Sequence, residues 1–483
     1  MVETGKPEIG IKFKKSENLS EWYTDVLIKS GFVDYSSVSG MMVLRPDSYF
    51  MWEQIVSKTD IMLKQNGVTN TAFPLLIPER LLKKEENHIE RFKAEVAWVT
   101  HGGESELEER LAVRPTSETI MYESVAKWVR SWRNLPMKLN QWNSVVRWEF
   151  NHPTPFLRTR EFFWNEGHSI YATEQEAMAE MAIVLKIYEN ILKDLLAVPY
   201  IVGRKTEQEK FAGGVASYSL EMLMPDGKAV QGPDWHFDGQ NFAKVFGIEF
   251  LDRDGNKSYA WQSTYAISTR VLGVMIAMHG DDRGLVIPPM ISRIQVVVIP
   301  IYKTENRERV LEAAKNIAES IGKKARVYLD DRDDASPGWK FNEWELKGVP
   351  VRIEIGERDM NSGSVVVVRR DTLEKSSVPI EGIGRHVQNT LKSIQRDLYK
   401  KASGFMKGMV STAHTYEAMK SALEKKKGFV LAPWCGSEDC ENKIKDETGA
   451  KITNMPLDQS KSKGKCIYCG NDAKRMANFA KSY

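Results

Sequence analysis

The spacing of apolar residues predicts a helix-rich start to the chain. Apolar side chains recur every three or four positions across 52–63 and Gly67 follows, so this segment is predicted to be an amphipathic helix. A shorter helix is predicted at 21–29. The next apolar run, 71–76, predicts a strand. Pro74 has no N–H to donate, so this strand must lie at an edge or an interface.

Short β-prone runs then alternate with helical segments as far as about residue 290. The predicted strands are 111–113, 144–149, 161–164 and 258–265, and a long helix is predicted at 174–195. Because these strands are unevenly spaced, they favour a mixed, largely antiparallel sheet with helical insertions over a doubly wound parallel sheet.

The pattern changes at Ile294, where β-rich runs surround a helix predicted at 307–321. The runs are 294–300, 326–329, 351–355 and 364–368. Strands and helices that alternate at this spacing form a separate α/β domain. A basic, helix-prone stretch at 385–427 leads into a tail that holds every cysteine. We therefore predict three domains, at 1–290, 291–402 and 403–483.

Composition places the chain among folded proteins without a membrane segment. Of its 483 residues 42% are hydrophobic, yet no apolar run approaches the roughly 20 residues that a membrane helix needs. The first residues also lack the apolar centre of a signal peptide, so we predict a cytoplasmic location. A net charge of +3 is compatible with nucleic-acid binding but does not require it.

The four cysteines have a spacing typical of a metal site. Cys435 and Cys440 form one pair, Cys466 and Cys469 form a CxxC pair, and a longer gap separates the two. A CxxC pair is a strong zinc signal. Four thiolates leave no open coordination position, so the predicted zinc ion is structural rather than catalytic. Four reduced thiols without a metal are the alternative.

Arg270 is the first candidate anion ligand. It follows Ser268 and Thr269 at the start of an apolar helix predicted over 271–278, where a cation works against the helix dipole. One interpretation is a surface arginine with its charged head in water. The other is that the guanidinium and the free N–H groups of the first helical turn bind a polyphosphate together.

Arg147 is the second candidate. It lies in the predicted strand 144–149 among apolar neighbours, and a buried arginine needs a carboxylate or a phosphate partner. An internal ion pair with Glu149 or Glu118 is the alternative to a phosphate. A second strand is predicted to begin at Arg158-Thr159-Arg160-Glu161-Phe162. Two strands whose connection carries arginines and aromatic rings can hold the phosphates and the base of a nucleotide.

These segments resemble the three signature motifs of class II aminoacyl-tRNA synthetases. The helix and strand that end at Pro74 are similar to the dimer-interface motif, and the run 147–162 resembles the strand-loop-strand that binds ATP. Ser268-Thr269-Arg270 with Gly273 resembles the third motif, whose arginine contacts the γ-phosphate. The resemblance implies a homodimer and an α/β chain with an α+β catalytic core, in which helices flank an antiparallel sheet.

The same resemblance implies a set of ATP-binding residues, with Mg²⁺ bridging through Glu149 or Glu161. The set is Arg147, Glu149, Arg158, Glu161, Phe162, Gln231, Ser268 and Arg270.

Further segments narrow the resemblance to the prolyl-tRNA synthetase family, in its archaeal and eukaryotic form. They are Arg114-Pro115-Thr116-Ser117-Glu118, Phe163-Trp164-Asn165-Glu166-Gly167-His168 and Gly280-Asp281-Asp282-Arg283-Gly284-Leu285. The implied proline-binding residues are Thr116, Glu118, Arg147, Trp164, Glu166, His168 and His236. Proline needs acceptors for its ammonium, a cation for its carboxylate and an apolar wall for its ring, and this set supplies all three. For Glu118, a helix-start carboxylate is the alternative.

One segment departs from the family pattern. Relatives usually carry Gln-x-x-Thr-Ser-His where this chain has Gln231-Gly232-Pro233-Asp234-Trp235-His236. We interpret Trp235 as an apolar wall against the pyrrolidine ring. Bacterial-type members also carry a large editing insertion between the second and third motifs. The stretch between His168 and Gln231 is too short for one, so we expect no alanine-editing site.

The resemblance extends to the other two domains and to the partners. Charged loops at 330–334, 338–341 and 348–352 resemble the anticodon-binding domain of class IIa synthetases, and Tyr483 is expected to fold back toward the catalytic domain. The implied activity is activation of L-proline by ATP and transfer to tRNA(Pro), with Arg147 and Arg270 as catalytic residues. Another class IIa synthetase, or a synthetase-like paralogue that binds tRNA without charging it, stays open.

Overall fold

The first 290 residues form helices around an antiparallel sheet. The computed structural model describes residues 10–86, 95–149, 152–459 and 464–483. The helices of this region are α1 (Leu19–Lys29), α2 (Pro46–Gln65), α3 (Glu79–Glu86), α4 (Glu118–Trp128), α5 (Glu174–Asn190), α6 (Asn241–Phe246) and α7 (Arg270–His279). The strands are β1 (Val33–Tyr35), β2 (Met42–Leu44), β3 (Thr69–Asn70), β4 (Leu76–Pro78), β5 (Trp98–Gly102), β6 (Ser105–Val113), β7 (Met137–Val146), β8 (Glu161–Tyr171), β9 (Ile201–Arg204), β10 (Ala216–Leu223), β11 (Ala229–Gly239), β12 (Glu249–Leu251), β13 (Lys257–Tyr259) and β14 (Trp261–Ser268).

The long helices form where the apolar spacing predicts them. Helix α2 begins with Pro46, whose missing N–H is unpaired in a first turn anyway, and it ends before Gly67, which has a positive φ. Helix α5 begins with a capping box between Thr173 and Glu176, and a π-helical segment continues it through Ile191–Leu195. Both predicted helices are confirmed.

The central sheet is antiparallel over most of its width, as predicted. Within the first 290 residues it runs in the order β9-β10-β11-β14-β8-β7, and every neighbouring pair in this series is antiparallel. Strand β3 adds a short parallel pairing at the end of the sheet. Because successive side chains of a strand point to opposite faces, each strand presents one face to the apolar core and the other to a cavity.

Three of these strands are joined beneath the sheet by one buried carboxylate from α5. Glu180 accepts hydrogen bonds from the hydroxyls of Ser169 and Ser263, each at 2.6 Å, and from the indole N–H of Trp235 at 3.3 Å. The donors belong to β8, β14 and β11. A buried charge is tolerated only when it is hydrogen-bonded, and here each bond also ties the helix to another strand.

Four predicted strands differ from those observed. The chain around Pro74 does not form one strand. Thr69–Asn70 pairs with β7 of the central sheet, whereas Leu76–Pro78 pairs with β6 in a separate small sheet, so the strand predicted at 71–76 is wrong. The proline between these two strands explains the break, since it lacks an N–H. The strand predicted at 258–265 is divided at Ala260 between two sheets.

The other two differences concern the predicted nucleotide-binding segment. Strand β7 ends at Val146 and β8 begins at Glu161, so Arg147 and Arg158 lie in the connection rather than in strands. The backbone N–H of Arg147 still donates to the carbonyl oxygen of Arg160 (2.8 Å).

The second region is an α/β domain, as predicted. It contains β15 (Val296–Ile301), α8 (Arg307–Gly322), β16 (Val327–Leu329), α9 (Pro337–Leu346), β17 (Val351–Gly356), α10 (Glu357–Asn361), β18 (Ser364–Arg369), β19 (Lys375–Pro379) and α11 (Ile383–Gly408). Strand β15 pairs in parallel with β16 and β17, and β18 and β19 complete the sheet in antiparallel pairings.

An ion pair joins this domain to the first region of the chain. The guanidinium of Arg370 donates to both carboxylate oxygens of Asp281, each at 2.7 Å. The segment around Asp281, which resembles a substrate-facing run of the prolyl family, therefore lies at an interdomain contact.

The C-terminal module, residues 410–483, extends the central sheet. It contains β20 (Val410–Thr412), α12 (Tyr416–Ser421), β21 (Phe429–Trp434), α13 (Glu438–Thr448), β22 (Ala450–Pro456) and β23 (Arg475–Lys481). Strand β22 pairs with β9, so the sheet runs without a break from the module into the first region of the chain. Among the helices of the described residues, none has the length and apolarity needed to span a bilayer.

We predict that Glu180→Ala destabilises the protein by about 3 kcal/mol, because it leaves three donors of the sheet without their acceptor. Urea unfolding followed by tryptophan fluorescence measures the shift of the midpoint. Lys186→Ala, on the exposed face of the same helix, is the matched control and should change stability by less than about 0.5 kcal/mol. Equal midpoints for the two variants would contradict the prediction.

Candidate functional site: a polar cavity above the central sheet

A cavity of about 230 Å³ opens on the face of the central sheet opposite Glu180. Its wall includes most of the residues predicted to bind proline or ATP. These are Thr116, Glu118, Arg147, Phe162, Trp164, Glu166, His168, Gln231, His236, Ser268 and Arg270. They come from β8, β11, β14, the starts of α4 and α7 and, for Arg147, the connection that follows β7, so the fold gathers segments that are far apart in sequence.

Three predicted ATP ligands lie outside the wall of this cavity. Glu149 is exposed, and Glu161 accepts a hydrogen bond from the hydroxyl of Ser144 (2.9 Å). Arg158 lines a neighbouring cavity of about 380 Å³. There it donates to the backbone oxygen of Tyr483 and lies 5.8 Å from the centre of that tyrosine ring. The chain terminus does fold back onto the catalytic region.

One end of the cavity is acidic. Glu118 is buried at the start of α4 and accepts a hydrogen bond from the hydroxyl of Thr116. Glu166 is buried nearby in β8 and accepts from the side-chain amides of Gln141 and Asn143, each at 3.3 Å. Burial and the neighbouring charge of Glu118 raise the pKa of Glu166 from 4.5 to about 7. This end therefore favours a bound cation.

Two histidines flank the acidic end. His168 is hydrogen-bonded through Nδ1 to the hydroxyl of Tyr122 (3.0 Å), and its Nε2 lies 4.0 Å from a carboxylate oxygen of Glu166. His236 contacts the hydroxyl of Ser217 through Nδ1 (2.8 Å). Burial lowers the pKa of both imidazoles below 6.5, so both rings are neutral near pH 7.

The other end of the cavity is cationic. The Nε of Arg147 donates to the carbonyl oxygen of Pro115 (3.1 Å), and its guanidinium lies 5.1 Å from the ring centre of Trp164 and 5.5 Å from that of Phe162. Among the described residues, which include Glu118 and Glu149, Arg147 forms no ion pair, so the predicted internal pair is not observed. The ring contacts hold the guanidinium in place and leave its charge for a ligand.

Arg270 opens α7 at the same end. Its Nε donates to the carbonyl oxygen of Leu157 (3.3 Å), and burial together with the charge of Arg147 lowers its pKa. Two guanidinium groups that repel one another in a confined space are stabilised by an anion between them. A surface arginine with its head in open water does not fit this placement.

The interpretation of Trp235 is wrong. Its side chain is fully buried on the core side of the sheet, where it bonds to Glu180, and it does not reach the cavity. The two-residue period of β11 instead brings Asp234 and His236 to the cavity, on either side of Trp235. Asp234 accepts a hydrogen bond from the amide of Gln231 (2.8 Å).

Sequence reasoning missed one wall of the cavity. The connection between β9 and β10 contributes Lys205, Glu209 and Phe211. Lys205 is buried and donates to Glu221 (2.7 Å), and the ring of Phe211 stacks on His236 with centres 4.8 Å apart. These residues belong to no element predicted from the sequence. A buried lysine is the one signal that could have identified this connection as part of a site. Its burial cannot be read from the pattern of apolar positions.

The four cysteines come together in the C-terminal module, away from the cavity. The Sγ atoms of Cys435, Cys440, Cys466 and Cys469 all lie within 4.8 Å of one another, and Cys435 is 3.6 Å from Cys440 and 3.8 Å from Cys469. Tetrahedral sulfur ligands about 2.3 Å from an ion stand roughly 3.8 Å apart. The cluster therefore has a geometry that can bind a metal.

Only part of the charged loops predicted in the second domain is exposed to solvent. Asp330 is buried and accepts hydrogen bonds from Arg332 (2.8 and 2.7 Å) and from the indole of Trp344 (2.8 Å). Residues 338–341 lie in α9 rather than in a loop, and Lys340 is buried against Asp330 (3.6 Å). Trp339 remains half-exposed beside Arg332.

Comparisons with known families agree with this arrangement region by region. The family described as tRNA synthetase class II core domain (G, H, P, S and T) matches residues 94–279. The anticodon binding domain family matches residues 295–390, and the family described as Prolyl-tRNA synthetase, C-terminal, matches residues 416–483.

Whole-length relatives extend the agreement over nearly the entire chain. The chain is 47% identical over 471 residues to Proline--tRNA ligase 2 of Clostridioides difficile, covering 97% of each. It is 45% identical over 478 residues to Proline--tRNA ligase of Cenarchaeum symbiosum, covering 99% of this chain and all of the other. The prolyl-tRNA synthetase of Cryptosporidium parvum, solved with halofuginone and AMPPNP, superposes with a TM-score of 0.93 at 44% identity and covers 98% of this chain and 99% of that one. The chain belongs to the prolyl-tRNA synthetase family.

Proposed function

We propose that the chain activates L-proline with ATP and transfers the prolyl group to tRNA(Pro). One observation carries the proposal: a single cavity has buried carboxylates at one end and two arginines without a described acidic partner at the other. A zwitterionic amino acid meeting a polyphosphate matches this separation of charge. The relatives that share nearly the whole chain are named as proline--tRNA ligases.

The acidic end is the site proposed for proline. Glu118 and the hydroxyl of Thr116 accept from the secondary ammonium, with Glu166 adding negative charge beneath it. Trp164 and His168 bound the ring, and His236 closes the pocket. Neutral imidazoles suit this position because they add no positive charge beside the ammonium.

The cationic end is the site proposed for the reaction with MgATP. A carboxylate oxygen of proline attacks the α-phosphorus, the bond to the bridging oxygen breaks, and pyrophosphate leaves. The terminal ribose hydroxyl of the tRNA then attacks the prolyl carbonyl and releases AMP. Arg147 holds the proline carboxylate and the α-phosphate together, and Arg270 neutralises the outer phosphates. The protein supplies position and charge rather than a nucleophile.

The remaining predicted ATP contacts are part of the same proposal. Phe162 stacks on adenine, and Gln231 and Ser268 face the phosphates from the cavity wall. Glu149 and Arg158, in the connection after β7, and Glu161, at the start of β8, would contact ATP from outside the wall of this cavity. Glu149 or Glu161 would hold the Mg²⁺ that accompanies ATP, and that ion would neutralise charge on the phosphates.

We further propose a structural zinc ion in the cysteine cluster and a homodimer in the cytoplasm. The sulfur separations suit four-thiolate zinc. Leu75 is exposed beside Pro74, in the segment that resembles a dimer interface, and the exposed Trp128 at the end of α4 packs against Phe73 of that segment. Contact with a second copy would cover both side chains. Sedimentation equilibrium tests the dimer, since a single-chain mass would contradict it.

The assay that tests the activity is exchange of labelled pyrophosphate into ATP with a panel of amino acids. Proline alone should stimulate exchange, and stimulation by a different amino acid would overturn the proposal. We predict that Arg147→Ala slows proline-dependent exchange by at least about tenfold, since a charge-assisted contact contributes about 1.5–3 kcal/mol. Arg253→Ala, an exposed arginine on the ring of Trp132, is the matched control and should retain full activity.

We predict that proline binding weakens as pH falls from 8 to 6. The free protein holds a proton on Glu166 below about pH 7, whereas a bound ammonium favours the ionised form. Affinity should fall by up to about tenfold for each pH unit below that pKa. Calorimetric titration of proline at several pH values measures this slope, and Glu166→Gln should flatten it. An unchanged slope in that variant would assign the titration to another group.

We predict that the purified protein carries about one zinc ion per chain and that Cys466→Ser lowers both zinc content and thermal midpoint, because a structural ion contributes directly to folding. Elemental analysis and thermal unfolding measure the two effects. A zinc-free native protein whose four thiols react freely with a thiol reagent would contradict the prediction.

A further inference from the structure

The missed wall of the cavity is a loop, residues 205–215, that connects β9 to β10. It reaches the candidate proline pocket through Phe211, whose ring stacks on His236 at 4.8 Å. The backbone N–H of Phe211 donates to the hydroxyl of Ser217 (2.9 Å), which also contacts Nδ1 of His236 (2.8 Å). The position of this loop therefore decides where one wall of the pocket stands.

The loop is held from behind by the C-terminal module. The hydroxyl of Thr206 donates to a carboxylate oxygen of Glu441 at 2.9 Å, and both residues are buried. The ammonium of Lys451 donates to the carboxylate of Glu209, which itself lines the cavity. One contact is an ion pair and the other is a buried hydrogen bond, so both hold the loop against the module.

The strand that enters the loop is seated by the same module. Arg204 and Gly203 of β9 pair with Met455 and Pro456 of β22. A Cβ on Gly203 would lie 2.4 Å from the carbonyl oxygen of Met455, so the two backbones approach more closely than any side chain allows. The start and the middle of the loop therefore both contact the C-terminal module.

Among the described residues, the C-terminal module contributes none to the wall of the cavity. Loop 205–215 is the part of the wall that its side chains contact directly. Helix α13 carries Glu441 directly after Cys440, so the cysteine cluster sets the position of the carboxylate that Thr206 reaches. Lys451 lies at the start of β22, on the other side of Gly449.

We propose that Glu441 and Lys451 are positioning residues for amino-acid binding, which hold loop 205–215 so that Phe211 keeps His236 in place. The inference rests on the proposed function, because it assigns the affinity for proline to residues that do not touch proline. This role differs from general stabilisation of the fold. A loosened loop weakens binding of the amino acid, while Arg147 and Arg270 keep their places.

Two pairs of variants test the inference. Glu441→Leu removes the acceptor of Thr206, whereas Glu441→Gln keeps an acceptor of the same shape. Lys451→Met removes the charge opposite Glu209, whereas Lys451→Arg restores it. Asp446→Ala, on the exposed side of α13, is the matched control. Lys451 lies well outside the cysteine-bearing segments, so its variants also control for damage to the metal cluster.

Proline-dependent pyrophosphate exchange supplies the first readout. KM for proline should rise about tenfold in Glu441→Leu and Lys451→Met, with kcat and the KM for ATP within about twofold of wild type. Glu441→Gln, Lys451→Arg and Asp446→Ala should match wild type. Unchanged KM for proline in both disruptive variants, or an equal loss in kcat, would overturn the inference.

Hydrogen–deuterium exchange of the free protein supplies a second readout that needs no activity. Peptides covering 205–215 should exchange faster in Glu441→Leu and Lys451→Met than in wild type, while peptides of α7 stay unchanged. If wild type shows no proline-dependent exchange of pyrophosphate, the proposed function fails and this readout still decides whether the module holds the loop. Equal exchange of the loop in all variants would overturn the inference independently.

Discussion

The carboxylate of Glu180 is the interaction on which the site depends. It lies beneath the sheet and accepts hydrogen bonds from β8, β11 and β14, the three strands that carry most of the cavity wall. Because side chains alternate along a strand, fixing Ser169, Trp235 and Ser263 on the lower face also fixes His168, His236 and Thr264 on the upper one. A buried carboxylate in the core therefore fixes which side chains of these strands face the cavity.

The cavity itself is arranged by charge. At its acidic end, burial and the nearby charge of Glu118 raise the pKa of Glu166 to about 7, and its cationic end brings two guanidinium groups together. Each end is unfavourable when empty, and each is relieved by a ligand of opposite sign. A substrate with an ammonium at one side and a carboxylate next to phosphates at the other relieves both at once. This polarity distinguishes the site from a structural ion-pair network, in which the opposite charges would already be paired.

The C-terminal module contacts both the sheet and the loop that form the cavity. Its strand β22 continues the central sheet, and Glu441 and Lys451 contact the loop that forms one wall of the cavity. Cys440 of the cysteine cluster lies in the helix that presents Glu441, directly before that residue. At the opposite end of the module, Tyr483 reaches Arg158 beside the cavity. The module is thus joined to the catalytic region by backbone pairing, buried side chains and its own terminus.

The sequence by itself determined the long helices α2, α5 and α8, the α/β character of the second domain, the cysteine cluster and most of the polar residues of the cavity. These depend on local periodicity, on ligand spacing or on motifs that resemble a family. Only the tertiary structure decided that Trp235 faces the core, that Arg158 meets Tyr483, and that Phe211 forms a wall. The first depends on strand register, and the others on contacts between residues far apart in the chain. Neither is encoded in the local spacing of apolar and polar positions, because one residue of register reverses every face.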